Sequence, residues 1–193
     1  ILKVCNEFFS DDAIMVMDGG NTTLWSIHYH VPKTQRSVIY SMNYGHLGTG
    51  LPYAIGSKLA QPAKSVYCVT GDSAFGFNMQ ELETAVRHNL PVIIIVAVDG
   101  AYGMEKSAQR RAFGREADWF GHDHAPVRYD QVAIAMGCHG EYIQKASEIE
   151  SALKRSVNSG KPAVIHADVD PVANIDPPGE WLWVAARTGK IEM

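Results

Sequence analysis

GDSAFGFNMQELETAVRHNLPVIIIVAVDGAYGM, residues 71–104, sets one aspartate after an apolar run and a second aspartate 27 residues later. The run Ser65 to Thr70 predicts a strand that leads into Gly71-Asp72-Ser73. A helical pattern over 79–88 follows, and a second apolar run, Pro91 to Val98, delivers Asp99-Gly100-Ala101. Strand, helix, strand in this order predicts parallel neighbours. Both carboxylates then emerge at the edge where parallel strands end and ligands bind.

Outward from this stretch the same alternation continues. A helical pattern covers Leu2 to Phe9, and strands are predicted over 13–17, 37–41, 138–143 and 162–169, with helices over 50–60, 129–136 and 148–158. This order predicts an α/β fold, a parallel sheet with helices on both faces. Asn78 with Glu81, and Ser147 with Glu150, have the spacing of capping boxes, while Gly160 and Pro162 end the last helix. No repeat or low-complexity stretch interrupts the pattern, so residues 1–193 read as one module with a tail over 171–193. The chain opens on Ile1 directly in a helical pattern, which reads as one module of something longer.

Composition narrows the function classes. The chain of 193 residues is 46% hydrophobic and 20% charged, ordinary globular usage. A net charge of −4 with no basic run argues against a nucleic-acid partner. The longest apolar run, Val92 to Val98, is too short to cross a bilayer, and no signal-peptide pattern is present, so a cytoplasmic location without membrane partners is expected. Cys5, Cys68 and Cys138 are scattered and odd in number, which argues against a disulfide framework.

Asp72 and Asp99 suit a hard divalent cation, since magnesium takes oxygen ligands and is usually held by one or two carboxylates together with phosphate oxygens. Gly71 permits a tight turn, and the small residues Ser73 and Ala74 allow a phosphate to approach main-chain N–H groups at a helix start.

At these residues the chain resembles the diphosphate-binding module of thiamine diphosphate enzymes, the acetolactate synthase, 2-oxo acid decarboxylase and oxalyl-CoA decarboxylase family. The family signature is GDG, about two dozen residues, then NN. Here the third glycine is Ser73, as in the oxalyl-CoA decarboxylase branch, and the NN pair is Val98-Asp99, so Asp99 stands where the family keeps asparagine. The resemblance implies magnesium held by Asp72, Asp99 and the backbone carbonyl of Ala101, with Tyr102 and Gly103 beside them in the cofactor loop.

Two further stretches carry the resemblance, which runs from about Asp18 to Asp170. DGGNTTLW, Asp18 to Trp25, is similar to the family's first strand-end loop, where Asn21 and Thr22 would hold the diphosphate. NYGHLGTGLPYAIG, Asn43 to Gly56, resembles the loop that grips the aminopyrimidine through the backbone of Gly45 and Leu47, with His46 between them as a proton relay or a solvent-facing residue. Leu47 falls where the family keeps an apolar wedge that bends the cofactor, bringing its pyrimidine amino group to the thiazolium C2 proton.

Residues 101–127 form the least regular segment, where the family carries substrate-facing elements. Glu105, in YGMEK, resembles a decarboxylase glutamate that handles protons near the reacting carbon; its other reading is a surface helix residue paired with a cation. Arg110, Arg111 and Arg115 either meet an acidic substrate or solvate a face. His122 and His124, like His28 and His30, sit two apart, a spacing that can chelate a metal, but with no carboxylate partner of clear geometry they are read as solvent-exposed loop histidines.

The resemblance implies an enzyme that makes or breaks a carbon–carbon bond next to a carbonyl, acting on a 2-oxo acid or acyl substrate with thiamine diphosphate and magnesium. Acetolactate-synthase-like and 2-hydroxyacyl-CoA lyase or oxalyl-CoA decarboxylase-like activities both stay open, as does a non-catalytic nucleotide-binding or regulatory module with a degenerate site. The family also needs a pyrimidine-binding module, on the same chain or a partner subunit, and none fits in these residues. The chain alone is therefore expected to be inactive and to form a homo-oligomer.

Overall fold

A computed structural model of the chain describes residues 1–41, 45–113 and 121–173. Six strands, β1 (Ile14–Met17), β2 (Val38–Ile39), β3 (Val66–Gly71), β4 (Ile93–Val98), β5 (His139–Ile143) and β6 (Ala163–Asp168), form one parallel sheet in the order β2-β1-β3-β4-β6-β5. From β1 the chain moves outward to β2 on one side, and from β3 it moves to β4 on the other. The strand order reverses between β1 and β3, and a doubly wound sheet opens its ligand crevice at such a reversal.

Alternation along each strand divides the core into two layers. Ile14, Val16, Cys68, Ile94, Val96 and Val164 face helices α3 (Gly50–Ala60), α4 (Asp72–Asn78), α5 (Leu82–Arg87) and α7 (Tyr129–Ala135) through Leu51, Ala54, Phe75, Leu82 and Ala133. Met15, Met17, Tyr67, Val69, Ile95 and Ile165 face α1 (Leu2–Phe8) and α8 (Ile149–Asn158) through Leu2, Cys5, Ile149 and Leu153. β3 and β4 are buried along most of their length, which is why both read as continuous apolar runs rather than alternating ones. The three cysteines are free and buried, and burial pushes the thiols of Cys5 and Cys138 up to about 12 and about 11.

The fold differs from expectation in its local caps and in three helical segments. The segment following Gly20 is not an open loop: α2 (Asn21–Tyr29) begins at Asn21 and stacks Trp25 on Tyr29 one turn later, centroids 5.6 Å apart. The helix expected over 79–88 starts early, because α4 springs directly from β3 at Asp72, a short 3-10 turn spans Met79–Glu81, and α5 completes the crossover. The segment expected to be least regular holds α6 (Gly103–Phe113), with Glu105 in its first turn and Arg110 and Arg111 in its last, charges that complement the helix dipole.

Neither anticipated capping box forms. The Asn78 amide donates instead to the Gly48 carbonyl at 2.7 Å, and Glu81 accepts from the Thr84 hydroxyl. Glu148 rather than Glu150 takes the backbone N–H groups of Gln144 and Lys145. Gly160, at φ 63°, does follow the end of α8. Asn43, Arg115 and the tail from residue 174 onward lie outside the described residues.

The two-layer core makes a direct prediction. Ile94→Ala, on a strand buried on both faces, should cost about 2–5 kcal/mol of unfolding free energy, because the cavity it leaves cannot collapse. Val157→Ala, on the exposed side of α8, should cost about 0.5 kcal/mol or less. Chemical denaturation of both variants checks the assignment.

Candidate functional site

Three loops meet at the C-terminal edge of the sheet, over the reversal between β1 and β3, around a cavity of about 630 Å³. Their closeness is a matter of missing side chains. A Cβ on Gly71 would lie 3.1 Å from the Thr22 hydroxyl, and one on Gly103 would collide with the Asp99 carboxylate and approach the Asn21 amide. Gly19, at φ 100°, turns the first loop so close that a Cβ on it would lie 3.2 Å from the Gly71 nitrogen.

Asp18 ties two of these loops together. Its carboxylate, 2% exposed, accepts the N–H groups of Gly19 at 2.8 Å, Gly50 at 2.7 Å and Gly48 at 3.1 Å. The end of β1 is thereby fastened to the segment that carries Gly45, His46 and Leu47. Burial raises the Asp18 carboxyl, and the three N–H donors act in the opposite direction. Nothing in the sequence pattern separates Asp18 from the ordinary turn chemistry around it. Only the fold brings Gly48 and Gly50 to it across about thirty residues.

The carboxylates of Asp72 and Asp99 come together. β3 and β4 pair in register, Gly71 beside Ala97, so the residues that follow leave the sheet side by side. Asp72 is 2% exposed and accepts the N–H of Ser73 at 2.8 Å and that of Gly100 at 2.8 Å. Asp99 accepts the N–H of Ala101 at 3.2 Å and meets the Asp72 carboxylate directly. Burial first, and then the Asp72 charge, push Asp99 up to about 6; burial raises Asp72 as well, against the two N–H groups that hold it down. A facing pair of acids shares a proton or binds a cation.

The remaining candidates fall around this pair. Asn21, Thr22, Gly45, Leu47, Ser73, Ala74, Ala101, Tyr102, Gly103 and Glu105 all line the cavity, with Leu47 half-buried and Glu105 exposed. His46 is exposed and does not line it. The Ser73 N–H, expected to be open to a phosphate, is taken by Asp72, and the Ala101 carbonyl, expected to face a cation, accepts the Ser73 hydroxyl at 2.8 Å. A carbonyl has two lone pairs, so one remains for a second partner. Trp25, Tyr29, Met104 and Val169 add apolar lining to the cavity, a role the sequence reading gave to none of them.

The histidines of the 121–124 segment correct the sequence reading. His122 is 2% exposed rather than solvated, and the Nε2 of His124 lies 2.8 Å from the Ser73 hydroxyl. They are drawn in because the segment pairs antiparallel with the loop after β4: Tyr102 N–H donates to the His122 carbonyl and His124 N–H to the Gly100 carbonyl, each at 2.8 Å. Among the described residues no cluster of three or more His, Cys, Asp or Glu side chains is placed to hold a metal. An ion here would need oxygens from elsewhere, as a diphosphate provides.

The chain was compared with known proteins. The family model described as "Thiamine pyrophosphate enzyme, C-terminal TPP binding domain" matches residues 18–167. The chain belongs to this family. Among curated relatives it is 33% identical over 173 residues to a probable acetolactate synthase large subunit of Methanococcus aeolicus, covering 89% of this chain and 29% of that protein. It is 34% identical over 170 residues to a 2-hydroxyacyl-CoA lyase of Arabidopsis thaliana, covering 84% of this chain and 29% of that protein. Among solved structures, a thiamine diphosphate-dependent 4-hydroxybenzoylformate decarboxylase of Rhodococcus jostii RHA1 superposes with a TM-score of 0.77 at 25% identity, over 88% of this chain and 32% of that one. The chain thus spans about three tenths of the relatives it matches. Both the resemblance and the parallel-sheet fold read from the sequence are borne out, and the cofactor of this domain family is thiamine diphosphate.

The acid pair fixes the sign of a pH effect. Asp99 has a folded-state pKa above its unfolded value, so the stability it contributes is full below the unfolded value and lost as pH rises through about 6. A divalent cation bound between the two carboxylates would reverse that loss by neutralising both. Magnesium with thiamine diphosphate should therefore raise the unfolding temperature more at about pH 7.5 than at about pH 5, where the ion must displace a proton. Thermal melts with and without the pair of ligands at both pH values measure it.

Proposed function

We infer that this chain is the part of a thiamine diphosphate enzyme that holds the diphosphate through a magnesium ion, and that the whole enzyme makes or breaks a carbon–carbon bond next to a carbonyl. The observation that carries the reading is the contact between Asp72 and Asp99 beneath the glycine-lined cavity. Asp72 and Asp99 supply charged oxygens, and the Ala101 carbonyl supplies a neutral one. Asn21 and Thr22, at the start of α2, face the same space and suit the diphosphate oxygens. When bound, thiamine diphosphate supplies an electron sink for the carbon being cleaved.

The protein's own residues position and shield. Leu47 narrows the cavity from the segment that Asp18 anchors, and Trp25, Tyr29 and Met104 keep one wall apolar. Glu105, on the first turn of α6 at the cavity rim, can hold or move a proton at its carboxylate. The substrate is a 2-oxo acid or an acyl compound. The likeness to an acetolactate synthase supports carboligation, and the likeness to a 2-hydroxyacyl-CoA lyase, together with Ser73, supports cleavage. A pyrimidine-binding module from the same longer chain or from a partner subunit completes the site, and pairing of copies accompanies it.

Calorimetric titration with thiamine diphosphate and magnesium, set against ATP and NAD, tests the cofactor class, and binding of a nucleotide in preference would end the reading. Asp99→Asn should keep magnesium-dependent binding, since the amide offers an oxygen at the same place. Asp99→Ala should weaken it by at least about tenfold. Equal binding by Asp99→Ala and the unsubstituted protein would remove Asp99 from the ligand set.

Leu47→Ala makes a separate demand on the same reading. In the complete enzyme it should slow proton exchange at the cofactor C2 more than it weakens cofactor affinity, with little change in unfolding temperature. A large stability loss with unchanged exchange would make Leu47 an ordinary packing residue.

A further inference from the structure

We propose that His124 is a positioning residue for the cation site, acting through the hydroxyl of Ser73 on the carbonyl of Ala101; this rests on the reading that magnesium and thiamine diphosphate bind beside Asp72 and Asp99. The Ser73 hydroxyl lies 2.8 Å from the Ala101 carbonyl oxygen and 2.8 Å from His124 Nε2. It has one proton. A carbonyl can only accept, so that proton goes to Ala101, and Ser73 is left as the acceptor of an N–H from His124 Nε2. The chain of bonds therefore has one direction, from histidine to hydroxyl to carbonyl.

His124 is itself held on its backbone side. Its N–H donates to the Gly100 carbonyl at 2.8 Å, while the Gly100 N–H donates to Asp72 at 2.8 Å. Lys106 on α6 pairs with Asp123 at 2.6 Å, and the His124 ring meets Tyr102 edge-on with centroids 4.8 Å apart. The loop from Asp99 to Tyr102 is thus clasped between Asp72 on one side and the 122–124 segment on the other.

Clasping matters because this loop has backbone freedom to lose. Gly100 sits at φ 74°, a left-handed conformation with no side chain to restrict it. With glycine at position 73, the Ala101 carbonyl would be oriented by the backbone alone. Ser73 adds a side-chain bond that occupies one lone pair and leaves the other for a cation, and His124 fixes the hydroxyl rotor that makes the bond.

The test is a double-mutant cycle on the full-length protein, reading magnesium affinity at saturating thiamine diphosphate by tryptophan fluorescence. His124→Ala should weaken magnesium binding about tenfold, and His124→Gln, which keeps an N–H donor, should restore it to within about twofold. In the Ser73→Gly background His124→Ala should cause no further loss, because the path between histidine and carbonyl is already cut. Unfolding temperatures of the magnesium-free proteins identify any variant that has lost its fold, and the Gln variant and the Ser73→Gly pair then carry the comparison.

Unchanged affinity in His124→Ala, or an equal loss in both backgrounds, overturns the proposal while leaving the functional reading intact. If the unsubstituted protein binds neither magnesium nor thiamine diphosphate, the functional reading fails and this proposal falls with it.

Discussion

Two carboxylates in contact are the constraint around which this structure is arranged. Like charges separate unless something holds them, and here the holding is done by the sheet: β3 and β4 pair in register up to Gly71 and Ala97, and Asp72 and Asp99 follow immediately. The backbone N–H groups of Ser73, Gly100 and Ala101 then fasten each carboxylate to the opposite loop or to its own turn. The acid pair is thus a consequence of strand register. A one-residue slip would move every inward side chain of β4 to the wrong layer, so the same core packing that fixes the fold fixes the site.

The other half of the site depends on Asp18 in a similar way. A buried carboxylate with three backbone donors is expensive to break, because each N–H it releases would lack a partner inside the protein. Its two anchor points, the turn after β1 and the segment leading into α3, adjoin the residues proposed for the diphosphate and for the pyrimidine ring. The glycines are needed for the same approach: a side chain on Gly50 would fall 2.7 Å from Cys68 and 2.8 Å from Asp18. Loops with their own flexibility are converted into one rigid rim, the arrangement preorganisation requires.

Most of the fold was legible because β3, β4 and β6 are long apolar runs whose partners are local in kind, strand after strand, with helices between. The site was legible where a motif is contiguous, as at Gly71-Asp72-Ser73 and Asp99-Gly100-Ala101. What escaped reading is what tertiary pairing decides. α2 has a weak local signal, since Gly20 precedes it without a side-chain cap bond, and it is held by its packing on β3 and α1. His122 and His124 look like solvated loop residues in sequence, yet beside the bridge between Ala101 and Asp123 His122 is buried and His124 half-buried. The Asp18 clamp joins positions about thirty residues apart, beyond any local pattern.

Asp99 in place of the family's usual asparagine changes what the acid pair can do without a ligand. An asparagine beside Asp72 could donate its amide hydrogens to that carboxylate and satisfy it permanently. A second carboxylate cannot, so the pair is satisfied only by a shared proton or by a cation. Burial first, and then the charge of Asp72, raise the Asp99 carboxyl. Gly103, the first residue of α6, leaves room for the Asp99 carboxylate only because it has no side chain. A cation bound beside Asp72 and Asp99 would remove a repulsion that the strand register builds in.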